Sequence, residues 1–289
     1  MSVCSADRER EWPQAEGPVR TIVIPPCPEP LMRLQAVMAE DDPDWDAIGA
    51  IAASDVAMAA SLVRAANSPL YLRYGGGAQS VPQAMTLLGL RQTSALLMQF
   101  LTMRALPVRH PAMSHFWRTS ARRSLALGFI ARQLYGTPPD LAHTFGLFCD
   151  VGIPVLLQGL RGYGDTWDAA RTSQDRSFTA VEQAAHRTDH AVVGALVART
   201  WSLPADLRTA LQLHHDVEAL DDRRIDAPVR DLMAACVVAD HMVLTHEQGL
   251  GDSPDWIVRG ADCLRHLQVR HAEVVLWQDA LQAALDHVT

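Results

Sequence analysis

From Leu31 onward the apolar residues recur at helical spacing almost without exception, and strand-like alternation is confined to Ile22–Ile24. That pattern restricts the chain to an all-α fold. Leu31, Leu34, Val37 and Met38 share one helical face. Asp44 caps a helix carrying Trp45, Ile48 and Ile51, and Ser54 opens another bearing Val56, Met58, Leu62 and Val63. Ser80, with Pro82 in the first turn, opens a helix that closes at Gly89; residues 90–105 form a further, strongly apolar one. Beyond Pro107 and Pro111 the spacing predicts helices over about 112–135, 141–150, 178–186, 189–201, 204–215, 228–247, 254–267 and 271–287. Many short helices suit an orthogonal multi-helix bundle better than a coiled coil. No fixed-period repeat or low-complexity tract interrupts them.

The segment before the first helix is different. Four prolines between Pro25 and Pro30 remove backbone donors and hold their neighbours extended, so Ile22–Pro30 reads as a strap over the following helices. Residues 1–20 are polar and read as a loose or disordered tail. All twelve histidines lie at or beyond His110, which makes the break near Pro107 a boundary of composition as well. The expected division is 21–108, 109–250 and a helical extension over 251–289.

Composition narrows the chemistry. The net charge is −8, which works against binding nucleic acid or an anionic membrane. No apolar run reaches the roughly 18 residues of a membrane span, and the N-terminus lacks a signal-peptide pattern. The five cysteines, Cys4, Cys27, Cys149, Cys236 and Cys263, are scattered without a CxxC pair, as expected in a reducing cytoplasm. There is no lysine, so Walker-type phosphate binding and Schiff-base chemistry are excluded. Asn67 is the single asparagine; in Asn67-Ser68-Pro69 it sits where a helix ends and reads as a structural pin.

Three groups could carry chemistry. Asp189-His190, His214-His215-Asp216 and Asp240-His241 could meet and bind a cation. Adjacent histidines on a helix point about 100° apart, so only one of His214 and His215 is expected to face such a site. The spacing favours the plainer reading, in which these histidines cap helix ends or lie in solvent. Cys149, in an apolar stretch, reads as a small core residue and not as a nucleophile. Gly75–Gly77 is a turn, too short for a phosphate loop, and Arg122, Arg123, Arg223 and Arg224 read as solvated helix-face charges.

An ordered series of motifs resembles the HDOD domains, the HD-related output domains of bacterial signalling proteins. It comprises Ile24-Pro-Pro-Cys-Pro-Glu-Pro30, Ile51-Ala-Ala-Ser-Asp55, Val63-Arg-Ala-Ala-Asn-Ser-Pro69 and Ser80-Val-Pro-Gln-Ala-Met-Thr-Leu-Leu-Gly89. It continues through Phe116-Trp117-Arg-Thr-Ser120, Phe145-Gly-Leu-Phe-Cys-Asp-Val-Gly152, Glu182 with Asp189-His190, Trp201-Ser-Leu-Pro204 and His214-His215. The resemblance spans about 22–245 and implies an N-terminal helical subdomain followed by an HD-like helical core.

In the HD phosphohydrolase superfamily a first His, a His-Asp pair and a later Asp hold metal. The resemblance puts the first of these near Thr119, the pair at Cys149-Asp150 and the last at Asp240, so two of four ligands are replaced. It therefore implies a non-catalytic output module in a bacterial cytoplasm, bound to a signalling protein partner in cyclic-di-GMP or two-component regulation, with no catalytic residue or cofactor. A homodimer and a nucleotide ligand are compatible with it. The alternative is a phosphohydrolase or cyclic-dinucleotide phosphodiesterase using iron, manganese or zinc on an altered set drawn from Asp150, His190, His214, His215 and Asp240.

Overall fold

The computed structural model describes residues 22–72, 77–173, 176–216, 218–249 and 254–288. The expected tail over 1–20, Cys4, and Gly75–Gly76 of the glycine turn lie outside the described residues.

Among the described residues every regular element is helical. The first group is α1 (Glu29–Met38), α2 (Trp45–Ala53), α3 (Val56–Ala66), the short α4 (Pro69–Leu72) and α5 (Val81–Ala105). Asp44 caps α2 by accepting from the amides of Asp46 and Ala47. The cap of α3 is Asp55 and not Ser54: Asp55 accepts from Ala57 and Met58, while the Ser54 hydroxyl donates back to Ile51 at the end of α2. α5 breaks where the pattern predicts, because Gly89 takes φ 75° inside it, a left-handed conformation in which glycine has no Cβ to clash. α1, α2 and α3 all pack on α5.

Asn67 pins this first group. Its side-chain amide donates to Ala78 O at 2.8 Å and accepts from Ala78 N at 2.7 Å, closing the loop between α3 and α5. Ser68 O caps the turn into α4, which begins at Pro69. Losing both bonds in Asn67→Ala is expected to cost about 2 kcal/mol in chemical denaturation, at about 1 kcal/mol per bond. Asn67→Asp keeps the acceptor, loses the donor, and should fall between. An alanine variant within about 0.5 kcal/mol of wild type would show that the pair contributes little.

The second group is α6 (Met113–Gln133), α7 (Pro139–Phe148), α8 (Gly152–Gly159), α9 (Tyr163–Thr172), α10 (Phe178–His186), α11 (His190–Thr200), α12 (Ala205–Leu213), a 3-10 turn (Glu218–Leu220) and α13 (Ala227–Gln248). α14 (Pro254–Leu267) and α15 (His271–Asp286) pack on α13. α8 and α9 are additions to the predicted set. Pro154 and the glycines at 152, 159, 162 and 164 hide their periodicity, although proline is tolerated in a first turn. Gly162 caps α9 at φ 79°.

The strap crosses between the groups. Ile22 lies against Gly159 of α8, and the buried Trp201 indole N–H donates to Pro25 O at 2.9 Å. Trp117 is buried edge-on against Phe116 in α6. The α7–α8 stretch, Pro139–Gly159, has the length and hydropathy of a membrane span, but 67% of its most apolar window is buried in the bundle, as a core segment would be.

Two glycines set the closest helix crossings. A Cβ on Gly146 of α7 would lie 2.6 Å from Ser124 Cα of α6, and one on Gly152 would lie 2.1 Å from His190 O of α11. The second contact brings the α7–α8 corner, with Cys149 and Asp150, against the first turn of α11.

A buried imidazole cluster and an arginine clamp

Asp150, His190, His214 and His215 converge where α7, α11 and α12 end or begin. One donor atom from each lies within 4.8 Å of the others. Asp189 caps α11 through Val192 N and so fixes where His190 starts, but it is a cap and not a donor to the cluster. His190 Nε2 is 3.0 Å from His215 Nε2 and 3.5 Å from Asp150 Oδ1; His214 Nε2 is 3.7 Å from the same Oδ1.

Each imidazole is held from behind through Nδ1. His190 Nδ1 meets Glu182 Oε2 at 2.7 Å, and Glu182, fully buried, also accepts from the Tyr163 hydroxyl. His214 Nδ1 meets Leu211 O at 2.8 Å, and His215 Nδ1 faces Asp255 Oδ2 at 3.6 Å. All three Nε2 atoms therefore turn inward. His214 Nε2 is buried and has no hydrogen-bond partner.

Both members of the His pair enter the cluster, against the expectation that one would. α12 ends at Leu213, and Asp216 N closes a turn onto Leu213 O, so the pair rides on a corner and not on a helical face. Their ring centroids are 4.1 Å apart. These histidines are also not the solvated helix-end groups that spacing favoured. His241 goes elsewhere, stacked on Trp256, and Asp216 accepts from Glu218 N.

The charges follow from this packing. Burial works against a charged His190, but Glu182 raises its pKa. Burial opposes His214 too, yet Cys149 and Asp150 hold it well above the usual histidine range. Burial and the adjacent His214 push His215 down to about 3, which keeps it neutral. Asp150 stays well below the carboxylate range despite burial because Arg123, His214 and His190 face it.

Arg123 is the residue that sequence reading missed. It is buried, not solvated: its Nη1 donates to Asp150 Oδ2 at 2.7 Å and its Nε donates to Asp240 Oδ1. Its partner in the dipeptide, Arg122, reaches Glu247 Oε1 at 2.8 Å and caps α15 at Leu285 O, whereas Arg224 is exposed as expected but lies in a turn and not on a helix face, paired with Asp222. Thr119 points away, its hydroxyl bonded to Glu247 Oε1 at 3.2 Å. The α6 side chain at the two carboxylates is thus one turn beyond Thr119. Arg123 shares a face with Phe116, Ser120 and Leu127, and a lone charge on that apolar and small stripe was the available signal.

Cys149 is buried and sits beside this clamp, its sulfur 3.5 Å from that of Cys236 on α13. Burial alone would raise both thiols. The Cys236 S–H, His214 and Arg123 nevertheless hold Cys149 well below the usual thiol range, and Cys236 is correspondingly raised.

The donor set fits a single tetrahedral cation. Zinc–nitrogen bonds of about 2.0–2.1 Å place tetrahedral donors about 3.3 Å apart, close to three of the six separations here, 3.0, 3.5 and 3.7 Å, with all six within 4.8 Å. Imidazoles held through Nδ1 by carboxylate or carbonyl are the usual support of such ligands, and the orphaned His214 Nε2 is the atom a cation would satisfy. Between Asp150 and Asp240 the position is different: the guanidinium already fills it.

The family model of the HDOD domain matches residues 24–217. No curated protein matches the chain. Among solved structures, an HDOD domain protein of unknown function from Geobacter sulfurreducens superposes with a TM-score of 0.72 at 20% identity, covering 92% of this chain and 94% of that one. A protein from Marinobacter aquaeolei VT8 named for signal transduction gives 0.74 at 20% identity over 97% of this chain, which spans 62% of that longer chain. A protein from Shewanella amazonensis SB2B bearing a phosphohydrolase name gives 0.71 at 18% identity, with 91% and 93% covered.

Proposed function

Because the chain belongs to the HDOD domain family, we propose that it is a non-catalytic signalling module that acts by binding a protein partner. The observation that carries this reading is the Arg123 clamp. An HD-type hydrolase needs a metal between its Asp ligands to polarise phosphate and activate water. Here a fixed guanidinium bridges Asp150 and Asp240, holds Asp150 ionised and offers no exchangeable coordination position. Cys149 stands beside Asp150 where the resemblance puts the His of the His-Asp pair, and the α6 side chain at the carboxylates is Arg123.

The imidazole cluster favours a metal of a different kind. Asp150, His190, His214 and His215 would hold zinc, iron or manganese with four protein donors, leaving no vacancy for water. A site closed in this way stabilises a fold and does not hydrolyse. It would tie α7, α11 and the corner after α12 together, which suits a module that presents a rigid surface to a partner.

The test is a phosphodiesterase assay with metal analysis on the same full-chain preparation, purified without chelator. Bis(p-nitrophenyl) phosphate and cyclic di-GMP, with manganese or ferrous iron added, are expected to give no hydrolysis above the buffer rate. Bound metal, measured by plasma mass spectrometry, should disappear in Asp150→Ala and His190→Ala and persist in Asp240→Ala. Turnover that vanishes in Asp150→Ala and Asp240→Ala alike would overturn the non-catalytic reading and establish the hydrolase.

A further inference from the structure

The contact between the two sulfurs beside the clamp has no part in the non-catalytic reading or in the metal site. Cys149 closes α7, and Cys236 lies on α13, 87 residues further on. They are free thiols, and their Sγ atoms are in contact at 3.5 Å. A disulfide needs about 2.0 Å, so an approach of about 1.5 Å would join them. Cys27 and Cys263, the other described cysteines, bond or pack elsewhere: Cys27 against Pro28 O, and Cys263 fully buried in α14.

Both thiols are buried, yet a partly exposed carboxylate lies against the pair. Cys236 Sγ is 3.7 Å from Asp240 Oδ2, and the Asp240 side chain is 38% exposed. Asp240 is thus the side from which a small oxidant would reach the pair. We propose that Cys149 and Cys236 are a redox-active pair that closes to an intramolecular disulfide on exposure to hydroperoxide. In the first step the O–O bond of hydrogen peroxide breaks: one of the two sulfurs gains an oxygen to become a sulfenic acid, and the other oxygen leaves as water. In the second, the sulfur of the other cysteine attacks that sulfenic sulfur, the S–O bond breaks, and a second water leaves with the thiol proton. Two thiols are oxidised to one disulfide and one peroxide is reduced to two waters.

The clamp would register the change. Cys149 precedes Asp150 in the chain, and Cys236 lies one helical turn before Asp240. Drawing the sulfurs together moves α7 against α13 and shifts the two carboxylates that Arg123 bridges. Oxidation therefore alters the packing of three helices at the centre of the fold.

The experiment treats the native full chain with hydrogen peroxide, blocks residual thiols under denaturing conditions, and maps peptides with and without dithiothreitol. The expected result is a chain lighter by two hydrogens, with one reducible crosslink joining the peptides that hold Cys149 and Cys236 in most molecules. Cys149→Ser and Cys236→Ser should each abolish it. Both thiols still blockable after oxidation, separate sulfinic acids, or crosslinks through Cys27, Cys263 or a second chain would each overturn the pairing. The wild-type map decides the matter even if a serine variant folds poorly. Because this readout involves neither metal nor turnover, it stands or falls separately from the functional reading.

Discussion

Gly152→Ala is expected to destabilise the protein by about 3 kcal/mol or more, while Gly194→Ala, in the same helix contact, is expected to be neutral or to stabilise by up to about 1 kcal/mol. At Gly152 the new methyl would sit 2.1 Å from His190 O and 2.8 Å from Gly194 N, and both obstacles are backbone. No rotamer change can relieve that overlap, so α8 must move off α11. At Gly194 the nearest atoms are 3.5 and 3.6 Å away, ordinary contact distances, and alanine gains helix propensity in the middle of α11. Urea unfolding of the two variants beside wild type measures the difference. A Gly152→Ala variant within about 1 kcal/mol of wild type would show that the corner is slack, which would also undermine the placement of Asp150 against His190.

That corner shows how much of the site was legible in the sequence. Most helices before Gly89 and after Phe178 follow from apolar spacing and caps, because each buries one stripe against a neighbour: α1, α2 and α3 on α5, α11 on α8 and α12, and α12, α14 and α15 on α13. At Gly152 the backbone approaches His190 too closely for a side chain, and Pro154 with the glycines at 152, 159, 162 and 164 interrupts the apolar spacing that would have marked α8 and α9. The donors were all recognisable as residue types: Asp150, His190, His214, His215 and Asp240 are each near the centre. Their geometry was not legible. Spacing on a helix could not reveal that His214 and His215 leave α12 on a turn. Nor could it separate Thr119 from Arg123, which lie one turn apart on the same helix. Resemblance placed the missing ligand at the former, whereas the charge at the carboxylates belongs to the latter.

Arg123→Met is the second variant with a large expected effect, a loss of about 3–5 kcal/mol, because it removes the cation from two carboxylates and leaves the methylene packing nearly intact. The loss should depend on pH. In the wild type Asp150 titrates well below its unfolded value, so its ionised form stabilises the fold above that unfolded value, and the contribution fades as pH falls through the folded one. Without Arg123 the two carboxylates repel across the vacated position and one of them takes up a proton readily. From pH 7.5 to 5 the wild type keeps the Asp150 contribution and gains modestly as Asp240, which burial pushes up to about 6, takes up a proton; the variant, with no cation opposing that uptake, gains more, so the gap between them should narrow. Adding Asp240→Asn should recover part of the loss at pH 7.5, since one unpaired charge is removed. The vacated position should also become receptive to divalent cations: manganese should raise the melting temperature of Arg123→Met and leave that of Asp240→Asn/Arg123→Met little changed. A pH-independent gap with no manganese effect would mean that Arg123 acts by filling space. The comparison with metal-bearing HD enzymes would then lose its physical basis, because the guanidinium would not be standing in for a cation at all.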